Sequence, residues 1–488
     1  MEKFILFKTK HGNTYYYNVP MQRLMYLHPI EASLAENLTN PKEISFDKLS
    51  SLFGKHYNED EINGCVLHYS LLYKKGYFQS DTYRISNYRD AISASDVQNS
   101  LANCPVLVIE TTERCNLECR YCIYGKNYAS FSTRSNVEIS QKMAIAMVDY
   151  MIERWNSSEN QSPLDTKYIG FYGGEPLLNF KLIKEVVLYL ETKKHNLTYN
   201  IQHSITTNGL LLPKYIDFLV EHNFQVLISL DGGKEDNAAR VFPNGEESFP
   251  KLINNIKSVK KKYPSFFKNN VSFNAVYNHY SNYSRLDSFF RTYSYKYKLS
   301  ELNPQVDSGS DNYFYKSLES TLPKSSYEKF VFNDYNREVF DSYICDIHNS
   351  FLDFTSPNKG DILLTGTCMP FSRKIFITAQ GLLLPCETIP HMHALGKVTQ
   401  KGEINIDFNR CAEYYSVYYQ RLAKSCMECY SIRNCRMCFF LNMKEDTKRC
   451  PQFMTRVSFV NYLRKNIEYY EDHNTELSSD ANSENLKY

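Results

Sequence analysis

Cys115, Cys119 and Cys122 lie in the run Thr111-Thr112-Glu113-Arg114-Cys115-Asn116-Leu117-Glu118-Cys119-Arg120-Tyr121-Cys122, with the spacing C-x3-C-x2-C. Three thiolates on one short loop can hold three irons of a 4Fe–4S cluster and leave the fourth iron open to another ligand. An open iron beside an aromatic residue, Tyr121, suits a redox cofactor that must also bind a small molecule. The competing use of such cysteines is a structural zinc loop. Zinc sites usually offer four ligands in paired C-x2-C knuckles, which this spacing fits poorly.

The elements that must position the loop are legible around it. Residues 105–110 are apolar and β-branched, so a buried strand is expected, with the loop leaving its C-terminal end. Further strands are expected at 168–172, 201–205, 226–230 and 271–276, and a sixth at 299–306; helical patterns such as 141–155 and 182–193 lie between them. Strands alternating with helices at this pitch predict a parallel sheet with right-handed crossovers. Polar and glycine residues sit where the strands end, which is where parallel α/β barrels place their chemistry. These are Gly173-Gly174-Glu175-Pro176, then Thr206-Thr207-Asn208-Gly209, then Ser229 and Asp231. Each patch by itself reads as a cap or turn. Their order after Cys122 argues for a site.

Taken together, residues of about 105–306 resemble the radical S-adenosylmethionine (SAM) enzymes. The resemblance implies an α/β fold, a partial (β/α)6 barrel. It implies a 4Fe–4S cluster on Cys115, Cys119 and Cys122 whose open iron is chelated by the methionine end of SAM, and one-electron cleavage of SAM to a 5′-deoxyadenosyl radical. Gly173, Gly174, Glu175 and Pro176 would receive the SAM amino group, the glycines letting carbonyls approach and Glu175 adding negative charge. Thr206, Thr207 and Asn208 would lie near the ribose and carboxylate, Ser229 and Asp231 near the ribose, and Arg240 near the carboxylate. Tyr121 and Val276 would flank the adenine.

Seven more of the 14 cysteines form a second pattern. Cys368 precedes Gly381 and Cys386; Cys426-x2-Cys429-x5-Cys435-x2-Cys438 follows, and then Cys450. Alone, the C-x2-C pairs could also belong to a zinc ribbon. Beside the first loop they resemble the SPASM extension of radical SAM peptide-modifying enzymes, although the extension usually has x3 before its sixth cysteine. That resemblance implies two auxiliary clusters, one on Cys426, Cys429, Cys435 and Cys450 and one on Cys368, Cys386 and Cys438. Two four-ligand clusters need eight cysteines; either Cys345 is the eighth, or one iron stays open. Cys65, Cys104 and Cys411 match nothing and read as small buried apolar residues.

Residues 4–10 and 14–19 are β-rich runs around His11-Gly12-Asn13, so a hairpin is expected. Residues 45–55 and 59–75 read as helices, the second stopping at Gly76, with Tyr77-Phe78 as a short strand or wing. A hairpin, three short helices and a wing resemble the PqqD-like winged-helix modules that bind a precursor's leader peptide as an added strand. The same elements suit a capping module with no peptide partner.

The expected organisation is therefore a leader-recognition module at 1–98, a radical SAM core at 99–310, a bridging segment at 311–365, a SPASM domain at 366–470 and a disordered polar tail at 471–488. A net charge of +2 gives no field for nucleic acid or membrane. The first residues lack a signal-peptide core, and no run approaches a membrane span. Cluster cysteines must stay reduced, so the expected compartment is the cytoplasm. The whole chain resembles the maturases of ribosomally made, post-translationally modified peptides. That implies hydrogen abstraction from a precursor peptide, a radical-derived cross-link or other modification, and an electron donor such as flavodoxin or ferredoxin. Thioether, ether and carbon–carbon links and epimerisation all use this architecture. One alternative is an anaerobic sulfatase-maturating enzyme, in which Glu387, directly after Cys386, would be the acidic proton acceptor. The other is a non-catalytic peptide-binding scaffold, against which the intact cysteine loop argues.

Overall fold

The computed structural model describes residues 2, 4–20, 23–78, 88–125, 127–128, 135–300, 302–303, 362–363, 365–432, 435, 437–442, 450 and 452–472. Cys345 and most of the expected bridging segment lie outside the described residues.

At the N-terminal side, β1 (Phe4–Lys8) and β2 (Thr14–Asn18) form the expected hairpin, and β3 (Arg23–Leu27) adds a third antiparallel strand. Helices Pro29–Glu36, Phe46–Phe53 and Glu59–Lys74 cover one face. The longest starts on a capping box, Asn58 and Glu61 each bonding the other's backbone N–H. The expected wing strand is absent at Tyr77-Phe78, which form a turn. Phe78 takes a left-handed φ of 58°, and its ring is buried against Tyr16 and Tyr69 at 4.8 and 4.7 Å. Aromatic burial holds it there in place of strand pairing.

Beyond β4 (Tyr88–Arg89) come six parallel strands in chain order: β5 (Val106–Thr112), β6 (Thr166–Gly173), β7 (Asn200–Thr207), β8 (Gln225–Ser229), β9 (Val271–Val276) and β10 (Tyr297–Ser300). The expected sixth strand is shifted to Tyr297–Ser300; residues 304–306 lie outside the described residues. One face of each strand meets the helices, with Ile109, Phe171, Ile205, Ile228 and Phe273 buried there. Side chains alternate along a strand, so Val108, Gly170, Ser204, Ser229 and Asn274 face the concave side.

The sheet does not stop at the expected domain boundary. After β11 (Ile362–Leu363), which pairs with β4, strand β12 (Ile375–Ile377) joins β5 in parallel. β13 (Leu382–Leu384), β14 (Gly396–Val398) and β15 (Ile404–Ile406) extend it antiparallel to ten strands. Helix Phe408–Met427 packs on helix Ala94–Ala102, with Ser416 Oγ accepting the Ile92 N–H at 3.0 Å. The expected tail begins too early at 471. Glu471 and Asp472 end a helix, Arg456–Asp472, which covers the second face of the β1–β3 sheet through Phe459, Val460, Leu463 and Ile467.

Candidate cofactor and substrate site

The cysteine loop leaves the C-terminal end of β5 and is pinned on two sides. Glu118 and Arg120 N–H donate to Val241 and Ala239 carbonyls at 2.7 and 3.0 Å. Glu175 N–H donates to Arg114 O at 2.8 Å. Cys115, Cys119 and Cys122 are half-buried, and the three thiols lie within electrostatic reach of one another. Burial above all pushes the free Cys119 thiol up to about 12. The Cys115 Sγ accepts from Leu117 N–H at 3.4 Å and from Asn208 Nδ2 at 3.7 Å. Among the described residues no group of three or more metal-ligating side chains could hold a single ion; a four-iron cluster takes one thiolate per iron. A gathered trio with N–H donors aimed at sulfur fits such a cluster.

Gly173 and Gly174 follow β6 and press against the strand end that carries the loop. Gly173 has φ 134°, and a Cβ on Gly174 would sit 2.3 Å from Arg114 O. This is a close backbone approach that only glycine permits, and it fits a loop offering carbonyls to a cation. The Glu175 carboxylate is used differently from the expectation. It is fully buried, and its oxygens accept from Thr207 Oγ1 at 2.7 Å, Leu177 N–H at 3.1 Å and Asn208 N–H at 2.7 Å. Burial pushes it up to about 7, against those hydrogen bonds. It ties the Gly-Gly-Glu-Pro turn, with Pro176 behind it, to the end of β7 and contributes less negative charge than expected.

Alternation sorts the polar patches. Thr207 and Asn208 are consumed by Glu175, and Asn208 also by Asn116 at 2.7 Å. Thr206 and Ser229 face the concave side, and among the described residues their hydroxyls have no protein partner. Asp231 is likewise occupied. Its Oδ2 accepts from Tyr121 OH at 2.6 Å and its Oδ1 from Val276 N–H at 3.0 Å. Burial pushes Asp231 up to about 6, opposed by Arg240. Arg240 donates to Tyr121 OH at 2.8 Å. Asp231 and Arg240 therefore hold Tyr121, and Asp231 also holds the half-buried Val276, the two expected adenine neighbours.

The downstream cysteines sort into groups as well. Cys426 feels Cys435, Cys450 and Cys429, while Cys438 feels Cys368. Met454 N–H donates to Cys429 Sγ at 3.4 Å. Cys386 sits beside Glu387 and Lys374. Both Glu387 oxygens accept from Lys374 Nζ, at 2.9 and 3.0 Å, and Oε2 also accepts from Cys386 Sγ at 3.3 Å. Burial works to raise its pKa, but Lys374 and the hydrogen bonds hold it below the usual carboxylate range. Glu387 is thus an ion-paired carboxylate. Cys104 and Cys411 are buried and donate to Val106 and Leu395 carbonyls at 3.4 and 3.2 Å, as apolar packing residues would.

Two residues that the sequence reading passed over lie in the same space. Glu110, at the end of β5, accepts from Tyr124 OH and from Ala379 N–H, joining the cysteine loop to the β12–β13 hairpin. Lys374 is the partner of Glu387. An acid closing an apolar strand was the available signal for Glu110.

Residues 109–291 match the radical SAM superfamily. The chain is 24% identical over 329 residues to the radical SAM cyclopropyl synthase TigE of Paramaledivibacter caminithermalis, covering 64% of this chain and 62% of TigE. The match thus spans less than two thirds of TigE. It is 27% identical over 300 residues to a cysteine-type anaerobic sulfatase-maturating enzyme of Clostridium novyi, covering 58% of this chain and 73% of that one. The structure of native anSMEcpe with bound AdoMet and Cp18Cys peptide shares the fold at a TM-score of 0.52 and 19% identity, covering 77% of this chain and 99% of that one. Among the described residues no helix is long and apolar enough to cross a membrane.

Proposed function

We propose that this chain, whose residues 109–291 match the radical SAM superfamily, is a radical SAM peptide maturase that installs a radical-derived cross-link or other modification in a ribosomally made precursor. The observation that carries the reading is the convergence, at the C-terminal ends of neighbouring parallel strands, of the cysteine loop, the Gly173-Gly174 turn and the Thr206 and Ser229 hydroxyls, which have no protein partner among the described residues. Cys115, Cys119 and Cys122 would hold the cluster, and a 4Fe–4S cluster carrying SAM supplies a hydrogen-abstracting carbon radical. The chain's own residues do the placing. Gly173 and Gly174 offer backbone, Thr206 and Ser229 offer hydroxyls, and the Asp231–Tyr121–Arg240 unit fixes the aromatic wall. Val276 is held by the same Asp231.

The grouping of Cys426 with Cys429, Cys435 and Cys450, and of Cys438 with Cys368, supports two auxiliary clusters. The β1–β3 sheet supports a leader-binding role. Among the described residues β3 pairs only with β2, so one edge is open to an added strand. The sulfatase-maturating reading is favoured by one observation, an ionised Glu387 beside Cys386. The test is anaerobic incubation with SAM, a reductant and candidate precursor peptides drawn from the short reading frames that flank the gene, followed by mass spectrometry. A mass change that depends on SAM and on Cys115, Cys119 and Cys122 is expected. Conversion of a sulfatase cysteine to formylglycine, with every candidate precursor untouched, would transfer the assignment to the second reading.

A further inference from the structure

The concave side of the sheet carries a charge that the cofactor reading does not use. Lys298 pairs with Asn274 in the β10–β9 register, and register partners share a face of a sheet. Tyr297 and Leu299 pack into the helix-side core, Tyr297 stacking on Phe290 at 4.2 Å. Lys298 and Ser300 therefore point the other way, to the concave side. Ser300 is fixed there, its Oγ donating to Asn274 Oδ1 at 2.7 Å. Lys298 is solvent-accessible, and among the described residues its ammonium has no hydrogen bond and no ion pair.

From the other flank of the six parallel strands, β12 brings a second cation. Lys374 lies two residues before Phe376, which is level with Val108 of the concave face. Its ammonium is already bound by both oxygens of Glu387. Burial first, and then the Lys374 charge, lower the pKa of Lys298, while Glu387 raises it; the three charges share one space. Another acid on this face, Glu110, is taken by Tyr124 and Ala379 N–H. Among the described residues, Lys374 and Glu387 cancel and Lys298 keeps its charge unpaired. An exposed ammonium on this face attracts a ligand that brings an anion, and a neutral ligand gains nothing from it.

We propose that Lys298 is a carboxylate-binding residue of the substrate cavity, so that the substrate presents an acidic side chain or a free C-terminal carboxylate to β10. The inference rests on the peptide-substrate reading above and narrows it. A bidentate or charge-assisted contact of this kind fixes position as well as affinity, which an enzyme must do before it removes one hydrogen among many.

The test uses the anaerobically reconstituted full chain and a lysine-acetylating reagent, with Lys298 labelling read by peptide mapping. The probes are N-acetyl-aspartate N-methylamide, N-acetylglycine and the neutral N-acetyl-asparagine N-methylamide. One or both carboxylates should protect Lys298, and the neutral amide should not. Protection by the aspartyl compound assigns a side chain; protection by N-acetylglycine assigns a chain terminus. Lys298→Gln should weaken binding of the protecting compound by about tenfold or more, with SAM affinity unchanged, and Lys298→Arg should keep most of it. Labelling that no carboxylate alters overturns the proposal. So does a Lys298→Gln variant that loses SAM affinity in step with carboxylate affinity, which would give the lysine to the SAM site. The peptide-substrate reading fails separately, if no precursor peptide is modified while the carboxylates still protect Lys298.

Discussion

Gly174 is the position where one added carbon does most harm. Its Cβ would meet Arg114 O at 2.3 Å and Glu113 O at 2.5 Å, both backbone atoms of the segment that carries the cysteine loop. Gly174→Ala must push that segment away, at a cost of about 1–3 kcal/mol. SAM affinity should fall at least about tenfold, as titration of the reconstituted protein would register; parental affinity would mean that the turn plays no part in binding. His203 makes a different prediction. It is buried on β7 against Phe224, and burial, then His222, pushes its pKa from 6.5 down to about 4. The folded chain keeps it neutral. As pH falls from about 6.5 to 4, the unfolded chain takes up a proton that the folded one refuses, so stability drops by up to about 3 kcal/mol. Urea midpoints at about pH 7 and about pH 5 should differ more in the parent than in His203→Phe. Equal differences would assign the acid sensitivity to other groups.

Among elements, the helix Arg456–Asp472 has the largest unexpected role. Phe459 is fully buried, with Tyr17 edge-on at 5.1 Å. Phe459→Ala should cost about 3–5 kcal/mol, concentrated in β1–β3. Hydrogen exchange should quicken in β1 and β2 and stay slow in β5–β9; uniform quickening would mean a single cooperative unit. Sequence reading passed over this helix because its charged residues dominate, although Phe459, Val460, Leu463 and Ile467 recur at helical spacing. It found β5–β9 because those strands are buried on the helix side and end in polar turns. β3 escaped it because Arg23-Leu24-Met25-Tyr26-Leu27 shows no clean alternation. The roles of Glu175 and Asp231 escaped for another reason. Their partners, Thr207 and Tyr121, lie 32 and 110 residues away in the chain, a distance that local patterns do not span.

For the whole molecule, iron content is the direct measure. Changing Cys115, Cys119 and Cys122 together to Ala should remove about four irons per chain and abolish SAM cleavage. Zinc in place of iron in the anaerobic protein would overturn the cluster reading. The leader role has a test that the packing qualifies. Deleting residues 1–78 should spare SAM cleavage, since the cysteine loop and its turns lie beyond that stretch. It also strips the cover from Phe459, Val460, Leu463 and Ile467, so aggregation of that variant is expected and says nothing about peptide binding. A proline scan of the peptide is cleaner. One proline in a paired stretch removes a ladder hydrogen bond, and modification should fall sharply there and little elsewhere; a flat profile would count against strand addition.

The union of β2 with the last described helix also sets a timetable for synthesis. Tyr15 OH donates to Glu471 Oε1 across 456 positions of chain. At ribosomal speeds of about 5–20 residues per second, the early sheet waits roughly 20 to 90 seconds for its second cover. Throughout that interval Ile5, Phe7, Tyr15 and Tyr17 face water on strands whose edges can still pair with a neighbouring nascent chain. Yield of intact protein should therefore depend on how closely ribosomes follow one another on the message, and a chaperone that shields short aromatic strands should raise it.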